Sequence, residues 1–256
     1  MSTPTAFSLP AAAPHYAPPP YRYRKCELTV VPFLAPPGVT RRLVPEPLEP
    51  NPDDLMLVAV GDMHNDTLGT TKEAFVVVPV SDGATTGNFT VFLYLESDAC
   101  ITSGREIWGW PKKQAQIETR DGGGHHEAVV RRAGRELIHL SVDASDDVRP
   151  EDLGLSPVWF NLKVIPSVIE GAPPEVMQIT ATTFRDLAVT RARGGEARLR
   201  LSGGGGDPLA DLIPVSEVLP GARIELDFDL LFGEVVHDYL AEAGTTRSGR
   251  MAAAAR

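Results

Sequence analysis

A chain of 256 residues with 43% hydrophobic and 23% charged residues has the composition of an ordinary globular protein. Its net charge of −10, with no basic stripe to offset it, argues against a nucleic-acid binder, and no apolar run reaches the ~20 residues of a membrane span. Cys26 and Cys100 are too few for a disulfide framework or a cysteine-built metal site. Residues 1–20 are rich in Pro and Ala but lack the charged start and continuous apolar stretch of a leader, so a flexible arm and a cytoplasmic location are expected.

Beyond the arm, short β segments dominate. Cys26–Leu34, Leu55–Met63, Ala74–Val80 and Phe89–Leu95 are apolar or alternating runs bounded by turn residues. Asp98–Ile107 reads as a short helix with Ser97 as N-cap, stopped by Pro111. Gln116–Glu118 and Glu127–Arg132 flank a hairpin signal at Asp121–Gly124, and Arg135–Val142 follows. Further strands are predicted at Val158–Ile165, Met177–Ala181, Leu187–Arg193, Ala197–Leu201 and Arg223–Asp229. Two later helices are predicted, Pro208–Ile213 behind Asp207 and Leu230–Ala243. The pattern predicts one mainly β (α+β) domain over 21–243, a single curved, largely antiparallel sheet with a few short helices. Residues 244–256 read as a loose tail.

Lysine is scarce: Lys25, Lys72, Lys112, Lys113 and Lys163 are the only five among 24 basic residues. Lys112 and Lys113 stand together after Pro111, in an apolar stretch with Ile107, Trp108 and Trp110. Arginine stays protonated, whereas a lysine amine becomes a nucleophile where burial or a nearby cation disfavours the ammonium form. Taken alone, the pair reads either as a solvated basic turn or as such a nucleophile.

The run from Gly104 through Arg105, Glu106, Ile107, Trp108, Gly109, Trp110 and Pro111 to Lys112 and Lys113 resembles the signature of the acetoacetate decarboxylase superfamily. Three stretches agree in the same order. Val44-Pro45-Glu46-Pro47-Leu48 is similar to its early turn, Lys72-Glu73 running into Val78-Pro79-Val80 to its acidic site strand, and Glu234 to Leu240 to its closing helix. The resemblance spans Tyr21 to Leu240 and implies a cone-like barrel and a homo-oligomeric enzyme that works without cofactor or metal. It makes Lys112 the Schiff-base lysine, Lys113 the adjacent cation and Glu73 the acid/base, with Trp108 and Trp110 walling the substrate. Burial is expected to outweigh Lys113 in keeping the Lys112 amine neutral, because consecutive side chains on an extended segment point apart.

Two charged positions of the decarboxylases are missing. Counted back from the Val-Pro-Glu-Pro turn, their first-strand arginine falls at Cys26, and a second glutamate falls at Ala59. Arg24, two residues before Cys26, either replaces that arginine from the same strand face or is a rim charge. Members without this set can form an enamine from pyruvate, add it to an aldehyde and eliminate water. A tyrosine near the C-terminus assists them, and Tyr239 is the nearest candidate; it reads equally well as a packed helix tyrosine. The favoured reading is therefore a lysine-imine carbon–carbon lyase taking a keto acid and an aldehyde, with β-keto-acid decarboxylation as the alternative. A binding protein that keeps the cavity without turnover is the rival class.

Other signals are weaker. His125 and His126 after three glycines read as a solvated hairpin, and His64 beside Asp62 and Asp66 as a turn. Gly203–Gly206 lacks the endings of a phosphate-binding loop, and Asp207 reads as an N-cap. Cys26 reads as a small buried hydrophobe.

Overall fold

The computed structural model describes residues 7–149, 153, 155–204 and 206–242. The first part of the chain forms β1 (Tyr21–Leu34), α1 (Val39–Leu43), β2 (Glu49–Pro50), β3 (Leu55–Asn65), β4 (Gly69–Ser81) and β5 (Thr86–Leu95). Next come α2 (Asp98–Ser103), a π-helical turn at Gly104–Trp108, β6 (Lys112–Gln114), β7 (Gln116–Gly122), β8 (His125–Arg132) and β9 (Arg135–Asp147). The last part holds β10 (Val158–Ile165), β11 (Val176–Leu201), α3 (Leu209–Leu212), β12 (Glu217–Val218), β13 (Gly221–Leu230), β14 (Glu234–Asp238) and α4 (Tyr239–Glu242). No helix among the described residues is long and apolar enough to cross a membrane.

All the strands belong to one sheet that closes on itself. Its path runs β10-β5-β4-β3-β1-β13-β11, and β11 pairs back onto β10, so seven strands make a barrel. Only β10–β5 and β5–β6 are parallel; every other pairing is antiparallel. Past the barrel, Arg193–Leu201 of β11 pairs with β9, which continues into β8 and β7. Closure removes the open edges of those seven strands, while β7 remains the edge of the extension.

The alternation of side chains sends two apolar sets to opposite faces of the barrel wall. One set, including Val31, Phe33, Val58, Val76 and Phe160, packs outward against Val130 and Leu140 of the β7–β9 extension. The other, including Tyr23, Leu28, Met63, Leu93, Trp110 and Phe228, points inward. The tight turns between β7, β8 and β9 have two residues each, Gly123-Gly124 and Ala133-Gly134, with φ positive at all four, as the right-handed twist of hairpins favours.

The strands agree with the sequence reading, and the differences have local causes. β11 is one continuous strand of 26 residues where three were predicted, because bulges at Arg185/Ala188 and Val189/Arg191 interrupt the alternation without ending the pairing. The helix predicted over Leu230–Ala243 does not form as such: β13 ends at Leu230, residues 234–238 pair with β11 as β14, and among the described residues of that range only Tyr239–Glu242 is helical. Asp207 is not an N-cap either, since α3 begins after Pro208 with no side-chain cap. The described part of the arm, 7–20, lies against the rest of the chain: Tyr16 and Ser8 are buried, and the Tyr16 hydroxyl donates to Glu106 at 2.5 Å. The predicted tail, 244–256, lies outside the described residues.

Candidate active site

Lys112 opens β6, whose pairing sets Lys112 beside Leu93 and Lys113 beside Tyr94. Neighbouring residues on a strand face opposite ways, so the two lysines part. Lys112 turns inward, 5% exposed, and its Nζ donates to Glu73 Oε1 at 3.2 Å. Glu73 is itself buried, on β4 between Gly61 of β3 and Leu95 of β5. Lys113 turns to the outer face, where its Nζ donates to Asp207 Oδ1 at 2.6 Å, and Arg132 Nε donates to Asp207 Oδ2 at 2.8 Å. Burial pushes the Asp207 carboxyl up, but the hydrogen bonds and charges of Lys113 and Arg132 together outweigh it and hold it below its ordinary value. The charge of Lys113 is thus spent on a buried carboxylate on the far side of the strand.

The segment before Lys112 is shaped to receive that side chain. Ser97 Oγ accepts from Cys100 N and starts α2, which widens into the π-turn, a form frequent at functional sites. Gly109, at φ +81, ends it, and a Cβ there would sit 2.5 Å from the Lys163 Cα. A Cβ on Gly104 would sit 2.5 Å from Lys112 Cδ and 2.7 Å from Cε, so the absent side chain is the space that Lys112 occupies. The turn is anchored from β11, β10 and the segment after β13: Thr180 Oγ1 donates to Trp108 O at 2.6 Å, Lys163 Nζ to Ile107 O at 3.0 Å, and Trp108 Nε1 to Leu231 O at 2.9 Å.

The two tryptophans take different places. Trp110 lines the interior cavity, with its ring centroid 5.2 Å from Lys112 Nζ. Its buried Nε1 has no hydrogen-bond partner among the described residues. Trp108, expected at the substrate, stands behind it at 5.0 Å, packed edge-on against Tyr21, and does not reach the cavity wall.

Two expected site residues lie elsewhere. Arg24 falls at a bulge: the pairing of β1 shifts between Tyr23 and Cys26, and Lys25 has φ 52. The extra residue turns both Arg24 and Lys25 outward, so Arg24 does not share the face of Cys26. Its guanidinium is half exposed, bonded to Asp229 at 2.7 Å and to the Phe228 carbonyl at 2.9 Å. Tyr239 packs against the outer core and donates to the Glu46 carbonyl, away from Lys112.

The same bulge brings in a residue that the sequence reading missed. Tyr23 is 5% exposed, stacked on Phe228 at 4.6 Å, and lines the cavity with Lys112 and Glu73. Burial, then the nearby Glu73 carboxylate, push its hydroxyl well above the ordinary tyrosine value, so it stays protonated. Only the bulge sets its phase, and no sequence signal marks it. Cys26 is a buried hydrophobe as read, its thiol pushed up to about 11 by burial. Ala59 is buried beside Val30 and Phe75.

Lys112, Glu73, Tyr23 and Trp110 line the buried end of a cavity of about 600 Å3 inside the barrel. Its lining is mostly aliphatic and aromatic, and among the described residues the charged ones in it are Glu49, Glu73 and Lys112. No group of three or more His, Cys, Asp or Glu among the described residues could hold a metal ion. His125 and His126 bond to Asp143 and Asp121 on the hairpin surface.

The family model described as acetoacetate decarboxylase (ADC) matches residues 3–240. Among curated proteins, the acetoacetate decarboxylase of Ralstonia nicotianae is 32% identical over 244 residues, covering 93% of this chain and 97% of the relative. Among solved structures, acetoacetate decarboxylase from Legionella pneumophila superposes with a TM-score of 0.84 at 26% identity, over 93% of this chain and 96% of the other. The enduracididine biosynthesis enzyme MppR, complexed with the condensation product of pyruvate and imidazole 4-carboxaldehyde, shares the fold with a TM-score of 0.80 at 20% identity, over 93% and 99% of the two chains.

Proposed function

This chain belongs to the acetoacetate decarboxylase family, whose members are decarboxylases or related lyases, and from that premise we propose a lysine Schiff-base lyase that joins pyruvate to an aldehyde and eliminates water. The observation that carries the imine chemistry is the Lys112–Glu73 contact of 3.2 Å, buried at the blind end of an apolar cavity. Lys112 Nζ adds to the ketone, and loss of water gives a protonated imine that draws electrons from the neighbouring carbon. Glu73 takes the proton from that carbon, leaving an enamine. The enamine carbon bonds to the aldehyde carbon, and the new alkoxide takes a proton. Tyr23, protonated and on the same wall, is the donor within the cavity, the role expected of Tyr239. The proton first taken by Glu73 makes good the one given by Tyr23, and Glu73 then takes the second proton of the same carbon, which leaves with the hydroxyl as water; the resulting unsaturated imine is released from Lys112 by hydrolysis.

Enamine formation by proton loss is favoured over carbon dioxide loss because among the described residues no arginine lines the cavity and Arg24 is turned away. Strain on a substrate carboxylate needs binding groups that grip it, and Cys26 and Ala59 supply none. The second reading, decarboxylation of a β-keto acid, is favoured by relatives above 30% identity that carry the name acetoacetate decarboxylase.

Borohydride reduction in the presence of pyruvate should add mass to the peptide containing Lys112 and to nothing in Lys112→Ala; an adduct that survives the substitution refutes the imine. Glu73→Gln should keep the adduct but lose exchange of the pyruvate methyl protons with deuterated solvent. Incubation with pyruvate and an aromatic aldehyde should yield an unsaturated product. Efficient release of acetone from acetoacetate without that product would establish the second reading instead.

A further inference from the structure

The cavity is far larger than a small keto acid requires. Its 600 Å3 lies within the range that encloses drug-sized ligands. The blind end, with Lys112, Glu73 and Tyr23, is buried. From Glu73 the wall follows β4 through Phe75, Val77 and Pro79 to Ser81, ~26 Å of strand. The opposite end is exposed at Glu49, Pro52 and Thr86, and these mark the mouth. Between the two ends the lining is apolar, with Leu28, Leu57, Trp159 and Phe184 from four different strands. Carbonyl chemistry is therefore confined to one end of a long apolar chamber, and water left along that chamber would gain from displacement by an apolar group.

We propose that the substrate of this site is a carbonyl compound bearing an extended apolar chain or ring system, its carbonyl at Lys112 and its tail running along the barrel toward Glu49 and Thr86. This rests on the lysine-imine reading. The tail belongs to the aldehyde if the enamine forms from pyruvate, and to the keto acid itself if it forms by decarboxylation; the same chamber serves either.

Methyl ketones test the tail without committing to a branch, because they form imines but carry no carboxylate. Borohydride trapping at Lys112 should half-saturate at a concentration at least about tenfold lower with 2-undecanone than with 2-butanone. Leu57→Trp, which narrows the chamber midway, should raise the 2-undecanone value at least about fivefold more than that for 2-butanone. Equal half-saturation across chain length, or equal weakening of both by Leu57→Trp, overturns the proposal. Binding is read separately from chemistry by tryptophan fluorescence, since Trp110 and Trp159 line the chamber. In Lys112→Ala, 2-undecanone should still change that fluorescence saturably, with 2-butanone much weaker. Saturation without trapping in the wild type would refute the imine and uphold the tail, and no saturation would refute the tail. Pyruvate with decanal against 3-oxodecanoate alone then assigns the tail to one reactant.

Discussion

Glycine at position 104 illustrates how the site depends on a single missing side chain. Lys112 Cδ and Cε fill the volume where a Cβ would stand, and Nζ would lie 3.2 Å from it. The far end of a lysine can move, so Gly104→Ala should fold but push Nζ away from Glu73. Misplacement by about 1 Å can cost on the order of 100-fold in rate. The expected outcome is an imine-trapping rate lowered by about 10–100-fold, with thermal unfolding close to wild type; wild-type trapping would show that the space at Gly104 is not what positions the lysine. Tyr23 and Arg24 exchange their expected places for an equally local reason, the one-residue bulge at Lys25.

At the scale of elements, β6 is three residues long and pairs only with β5, yet it must hold the reactive lysine still. Its outer side supplies the anchor: Lys113 is bound to Asp207, which is also held by Arg132 and lies 3.3 Å from the Tyr94 hydroxyl. Asp207→Asn should destabilise the fold by about 1–3 kcal/mol, since it leaves two cations facing a buried neutral group. The folded value of Asp207 is lowered, so its contribution is complete above the ordinary carboxylate value and is lost as pH falls through the folded one. Denaturant unfolding should therefore show a constant gap between wild type and Asp207→Asn above about pH 5, narrowing at lower pH. A gap that widens in acid would show that Asp207 is not held ionised by its partners.

The whole molecule is organised by closure. β10, joined in parallel to β5 and antiparallel to β11, completes the ring, and the chamber exists only because that ring is complete. The N-terminal arm closes a different gap. Tyr16 is buried, bonds to Glu106 in the π-turn, and meets Phe7, which in turn meets Phe232 between β13 and β14. The arm thereby braces the turn that carries Lys112, some ninety residues away in sequence. Tyr16→Ala should lower stability by about 3 kcal/mol, and Tyr16→Phe, which keeps the ring, by about 1 kcal/mol. Imine trapping should slow in both Tyr16→Ala and Tyr16→Phe, since each removes the bond to Glu106; equal trapping in all three proteins would mean that the arm covers the turn without bracing it.

The residues alone determined the mainly β, largely antiparallel character of the chain, because alternation and turn chemistry are local signals. The family and the Lys112–Glu73 pairing were legible through motifs, since Trp-Pro-Lys-Lys is a specific run and Glu73 falls at a matching place. Everything that depends on strand phase had to wait for the tertiary structure. A bulge adds one residue and turns every later side chain over, so Tyr23 in place of Arg24 could not be read from spacing. Runs of alternation cannot say where a strand continues through an irregularity, and so β11 looked like three strands and β14 like a helix. Asp207 had a sufficient local explanation as a cap, and only folding brought it to Lys113 and Arg132, more than seventy residues away in sequence. The chamber is the extreme case. Its walls come from strands across the chain, and its volume is set by how seven of them close, which no stretch of sequence carries by itself.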